Sequence, residues 1–148
     1  MKSRDSRFGI RDSQQRPHEQ LEVWSDAMDL AEEIYRFSAH FPEQERFGLI
    51  AQMRRAAVSI PSNIAEGAAR TRLEYVRFLT IARGSLSELD TQAKLALRLG
   101  FGPNAQTPHD KIDRVFAKLN ALIRALTSKP KPDSSAAESR IPNPESHA

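Results

Sequence analysis

Four segments carrying apolar residues at helical spacing, the absence of any alternating apolar and polar run, and short polar connections predict an all-α protein. Amphipathic helices joined by short links bury one another's stripes most simply as an antiparallel up-and-down four-helix bundle. At 148 residues the chain has the size of one ordinary domain. Residues 1–20 are polar and aperiodic, and residues 127–148, beginning TSKPKPDSSAAESR, are rich in Pro, Ser and charge. Both read as disordered tails around a bundle domain at 21–126.

The first helix is expected over Glu22 to Ala39, with Val23, Trp24, Ala27, Leu30, Ala31, Ile34 and Tyr35 inward, and Phe41-Pro42 closes it. A second helix, from near Glu43, places Leu49, Met53, Ala56, Ala57, Ile60 and Ile64 on one arc at about 100° per residue. The third, from Thr71 to Leu99, turns Tyr75, Leu79, Ala82, Leu86, Leu89, Ala93 and Leu97 inward and stops at Gly100 in GFGPN. The fourth starts near Pro108 and carries a single stripe of Ile112, Val115, Phe116, Leu119, Leu122, Ile123 and Leu126.

Within the second helix, SIPSNIAEGAAR puts Pro61 inside a continuous helical pattern. A proline there costs about 3 kcal/mol unless the helix bends or restarts, so a kink is expected. Gln52, Ser59, Asn63 and Glu66, with Arg70, form a polar seam beside the core arc, within expected reach of Ser85, Glu88 and Gln92 on the third helix. On the outer side of that helix Ile81, Gly84, Leu95 and Leu99 stand where an isolated bundle favours charge. They are the expected oligomer interface, with Gly84 admitting a close neighbour.

Net charge is only +3, but it is unevenly spread. Residues 21 to 45 hold seven acids against Arg36 alone, whereas residues 46 to 83 hold seven arginines against Glu66 and Glu74. Arg54 and Arg55 point away from the second helix's core arc, and Arg70 and Arg77 are placed on the outer face of the third. These four are the candidate nucleic-acid contacts, through phosphates and with little sequence preference.

The residue pattern argues against several other classes. There is no cysteine, hence no disulfide or thiolate metal site, and a cytoplasmic setting is expected. The charged opening lacks a signal peptide's apolar run, and no stretch approaches the roughly 20 apolar residues of a membrane span. His18, His40, His109 and His147 form no Glu-x-x-His pair, so no metal site is expected. Gly100 and Gly102 are a helix stop and not a phosphate loop, and Gly84-Ser85 is interior to a helix and not a nucleophile elbow. Pairs such as Glu32-Glu33 and Glu88-Asp90 are what an exposed helix face offers. No enzyme, cofactor or small-molecule substrate is expected.

The strings LEVWSDAMDLA, FPEQERFGLIAQMRRAAVSIPSNIAEGAAR and FLTIARGSLSELDTQAKLALRLGF, in that order, resemble the 23S rRNA intervening-sequence protein family over residues 21 to 126. The resemblance implies a bacterial four-helix bundle that assembles into a pentameric ring and has no known catalytic residue. It also implies a distant similarity to the accessory variability protein of diversity-generating retroelements, a basic protein that binds nucleic acid and a reverse transcriptase. Together with the arginines, this points to a non-enzymatic homo-oligomer binding RNA or an RNA-associated protein. The alternative is a structural adaptor ring that recruits another protein without nucleic acid, its arginines paired with helix-one acids of a neighbouring subunit. Salt dependence separates the two, because phosphate contacts weaken steeply with salt.

Overall fold

The computed structural model of the chain describes residues 16–103 and 107–128. They form four helices, α1 (Glu22–Ser38), α2 (Leu49–Ala68), α3 (Arg72–Arg98) and α4 (His109–Thr127), with no strand among the described residues. The helices follow one another around a square: α1 neighbours α2 and α4, α3 neighbours α2 and α4, and the diagonal pairs stay apart. This is the expected up-and-down bundle. The expectation of disorder at 1–15 and 129–148 lies outside the described residues. Pro17–Gln20, expected in the N-terminal tail, forms a 3-10 turn whose His18 ring meets Trp24 edge-on.

One continuous core runs through all four helices, with Leu30, Ile34, Met53, Ile60, Leu86, Leu89, Ile112 and Leu119 completely buried. Several residues expected inward are only partly buried on the flanks of the core, among them Trp24, Tyr75, Phe116 and Leu126. Tyr35 is 44% exposed, and on α3 the buried position is Ala96, while Leu97 is only partly covered.

Helix ends follow from local chemistry. Thr71 caps α3, its hydroxyl accepting from the Glu74 N–H at 3.4 Å. At the other end Gly100 adopts φ +76°, which a side chain disfavours, and its N–H donates to the Leu97 carbonyl while that of Phe101 donates to Ala96. This pair of bonds is a Schellman stop, and it matches the glycine stop expected there. The second helix starts later than expected. Glu43–Glu45 form a separate 3-10 turn, and the Glu45 carboxylate accepts from the Leu49 N–H at 3.1 Å, satisfying a donor of the first turn of α2. Acidic residues near a helix start that bond to free N–H groups begin the helix after themselves, and the spacing of charged residues does not reveal this.

Two kinds of contact set the register. Lys111 pairs with Glu33 at 2.7 Å, and Lys118 pairs with Asp26 and, at 3.4 Å, with Glu22. The lysines are seven residues apart on α4 and the carboxylates Glu33 and Asp26 seven apart, in the opposite sense, on α1. That equal and opposite spacing aligns two antiparallel helices over two turns. Between α2 and α3, Gly67 lies so close to α3 that an added Cβ would stand 2.8 Å from Phe78 Cβ and 2.9 Å from Tyr75 Cδ2.

Candidate interaction surfaces

Arginine positions are legible in the sequence; their partners are not. Arg54 leaves the core arc as expected but folds onto the end of α1. Its Nε donates to the buried Ser38 hydroxyl at 2.9 Å, an Nη donates to the Tyr35 carbonyl at 3.2 Å, and the guanidinium lies 4.5 Å from the Tyr35 ring centroid. The Tyr35 carbonyl already accepts from the Ala39 N–H, and the added cation complements the negative end of the α1 dipole. Arg72 does the same for α4, donating to the carbonyls of Leu126 at 2.9 Å and Ala125 at 3.3 Å.

Arg70 pairs with Glu66, more weakly with Glu74, and stacks over Phe78. The Glu66 hydrogen bond raises its pKa above the ordinary arginine value. Arg54 and Arg70 are therefore occupied within the chain. Arg55 and Arg77 are exposed, with no ion pair to a described residue. Helix-one acids are also engaged at home: Glu22, Asp26 and Glu33 with the lysines of α4, and Glu32 with Arg36 at 3.9 Å.

The polar seam does not reach α3 through the expected partners. Ser59 Oγ donates to the Ala56 carbonyl at 3.0 Å, Ser62 Oγ to Val58 at 2.8 Å and Asn63 Nδ2 to Ser59 at 2.7 Å. Gln92 bonds Glu88 on its own helix, and Gln52 and Glu66 are exposed. Short polar side chains reach carbonyls of the preceding turn on their own helix. Here the acceptors are the carbonyls of Ala56, Val58 and Ser59, while the carbonyl of Ala57 loses its usual donor because Pro61 has no N–H. The helix nonetheless runs unbroken from Leu49 to Ala68, with no restart at the proline.

On α3 the four expected interface residues are all exposed. Ile81, Leu95 and Leu99 are 43%, 47% and 52% accessible, and a Cβ built on Gly84 would meet nothing within 4 Å. Nothing in this chain's own packing requires a glycine there.

A second apolar surface is not anticipated by the sequence. Between the outer sides of α1 and α2 lies a groove of about 720 Å³ lined by Trp24, Met28, Ala31, Tyr35, Val58 and Pro61. Trp24 and Tyr35 are expected inward, and Met28 and Val58 fall off both core arcs. The signal is present as apolar residues widening the stripes of both helices on the sides that face each other. Beyond the groove Phe47, just ahead of α2, is 88% exposed.

No three His, Asp or Glu side chains gather as a metal-binding group among the described residues, and no described helix is long and apolar enough to cross a membrane. The fold and its outer faces define an antiparallel four-helix bundle with two unpartnered apolar surfaces. The model of the 23S rRNA-intervening sequence protein family matches residues 19–126, and the chain belongs to that family. No curated protein sequence matches it.

Proposed function

We propose that this protein is a non-enzymatic scaffold that assembles with copies of itself and presents its remaining free arginines to a partner. The observation that carries this reading is the pair of apolar surfaces, the α1/α2 groove and the outer stripe of α3, left on a bundle whose own core is complete. The groove is a continuous apolar surface of the kind that marks contact sites, and the exposed apolar residues of α3 add a second candidate. The family resemblance implies a ring of five, and the cysteine-free chain suits a cytoplasmic setting. Light scattering of the purified chain tests the reading. An assembly that Ile81→Glu dissociates is expected, and a monomer at micromolar concentration overturns it.

RNA is the second reading, favoured by Arg55 and Arg77, which are exposed and without a described acidic partner. Arg54 and Arg70 contribute less, being held by α1 and by Glu66. Fluorescence anisotropy with a structured RNA separates this reading from a protein adaptor. If Arg55 and Arg77 each neutralise one phosphate, Arg55→Ala or Arg77→Ala reduces the log-log salt slope by roughly 0.7 to 0.9. An unchanged slope, or no binding at low salt, leaves the protein adaptor.

A further inference from the structure

We infer that the contact between copies is head-to-tail: the α1/α2 groove of one copy receives the outer stripe of α3 from the next, with Glu88 of the incoming helix set against Arg55. The inference rests on the self-association proposed above and names the two surfaces that meet.

Three independent features carry it. The first is the sorting of exposed apolar side chains. Met28, Tyr35 and Val58 line the groove, whereas Ile81, Leu95 and Leu99 lie along α3, as does Leu73 near its start; Phe47 stands apart, just ahead of α2. A groove between two helices is the shape that takes a third helix by its apolar stripe.

The second is register. Gly67 stands against Tyr75 and Phe78, and α2 and α3 run antiparallel from that point. Counting equal steps along both helices from Gly67 and Tyr75 brings Pro61 level with Ile81, Val58 with Gly84, and Arg55 with Ser87, one residue short of Glu88. Rotation about an axis parallel to the bundle leaves every residue at its own height. The neighbour's Ile81 then enters beside Pro61, and its Gly84 lets the backbone approach Val58. Glu88 and Arg55, both exposed, meet as opposite charges.

The third is Gly84 itself. A glycine inside a helix costs about 1 kcal/mol relative to alanine, and this one faces empty space in its own chain. Close approach of a neighbouring helix accounts for it.

The two surfaces also have the right disposition for closure. Arg83 reaches Asn120 on α4 from one flank of α3, at 3.1 Å, while the stripe lies beyond the opposite flank, which meets α2. Stripe and groove thus occupy adjacent sides of the square, both bordering α2. Head-to-tail addition turns at every copy and closes into a small ring instead of extending as a straight filament.

The chain has no cysteine of its own, so cross-linking can be placed cleanly. A chain carrying Val58→Cys and Gly84→Cys, treated with a short bis-maleimide, is expected to give a ladder ending at the ring. Each single variant alone gives no ladder, and the two mixed give dimers only. Charge reversal adds a second readout. Glu88→Arg and Arg55→Glu, each shown by circular dichroism to stay folded, raise the concentration for half-dissociation by about tenfold or more, because like charges then face each other. Combining them restores assembly. Cross-linking of the Gly84→Cys variant to itself, or an assembly by light scattering with no cross-link in the double variant, overturns the head-to-tail pairing while self-association stands. Absence of rescue overturns the Glu88–Arg55 contact, and a monomeric wild-type chain overturns both readings together.

Discussion

Replacing Gly67 by alanine and replacing Gly84 by alanine add the same methyl group to two helices, yet the surroundings give the changes opposite signs. At Gly67 the methyl carbon would lie 2.8 Å from Phe78 Cβ and 2.9 Å from Tyr75 Cδ2, both inside contact distance. Phe78 Cβ is attached directly to the backbone of α3, so relief requires the two helices to separate. Overpacking of this sort costs about 1–3 kcal/mol, against a gain of about 1 kcal/mol in helix propensity. The expected net change is a loss of up to about 2 kcal/mol. At Gly84 no atom lies within 4 Å, and the separated chain keeps the whole gain of about 1 kcal/mol. Urea unfolding followed by circular dichroism measures both. With a slope of about 1–3 kcal/mol per molar urea, a difference of that size moves the midpoint by several tenths of a molar or more. Titrations at several protein concentrations separate folding from dissociation, because assembly stabilises by mass action. A Gly67→Ala variant stabilised by about 1 kcal/mol, as Gly84→Ala is expected to be, would refute the tight α2–α3 approach on which the register argument stands.

Other expectations follow from single contacts. Arg54→Ala removes donors to the Ser38 hydroxyl and the Tyr35 carbonyl and is expected to cost about 1–2 kcal/mol in thermal unfolding, with Arg55→Ala near neutral in the dissociated chain. Equal effects would show that Arg54 is not a cap. The Tyr75 hydroxyl is buried with no partner among the described residues, so Tyr75→Phe should leave stability unchanged or raise it by about 1 kcal/mol. A clear loss in urea unfolding would mean that the hydroxyl is bonded. Stability should also fall in alkali. The hydrogen bond to Asp26 raises the Lys118 pKa and burial raises that of Tyr75, so both groups hold their protons more tightly folded than unfolded. Their contribution is complete below the ordinary values near about 10 and is lost as pH rises through the raised ones. A melting temperature that declines no more steeply above about pH 10 in the wild type than in a Lys118→Gln, Tyr75→Phe variant would contradict this.

Helix count, the glycine stop after α3 and the greater part of the core follow from the sequence, since apolar period and backbone conformation are local properties. Arc positions such as Leu30, Met53, Leu86 and Leu119 need no knowledge of neighbours to be read as buried. The outward placement of Ile81, Gly84, Leu95 and Leu99 was legible for the same reason. Partner choice was not. Arg54 and Arg55 are consecutive in sequence, yet one caps α1 and the other faces outward, because a step of about 100° carries only Arg54 to the side where α1 ends. Ser59 and Asn63 could reach a neighbouring helix or carbonyls of their own, and both bond a carbonyl three or four residues back on α2, as short polar side chains do. The α1/α2 groove belongs to neither helix alone: it comes into being only when Trp24 and Tyr35 on one are laid beside Val58 and Pro61 on the other. Periodicity along a chain determines which face of a helix is buried, but the gap between two helices is set by tertiary packing, which places surfaces from distant parts of the chain side by side.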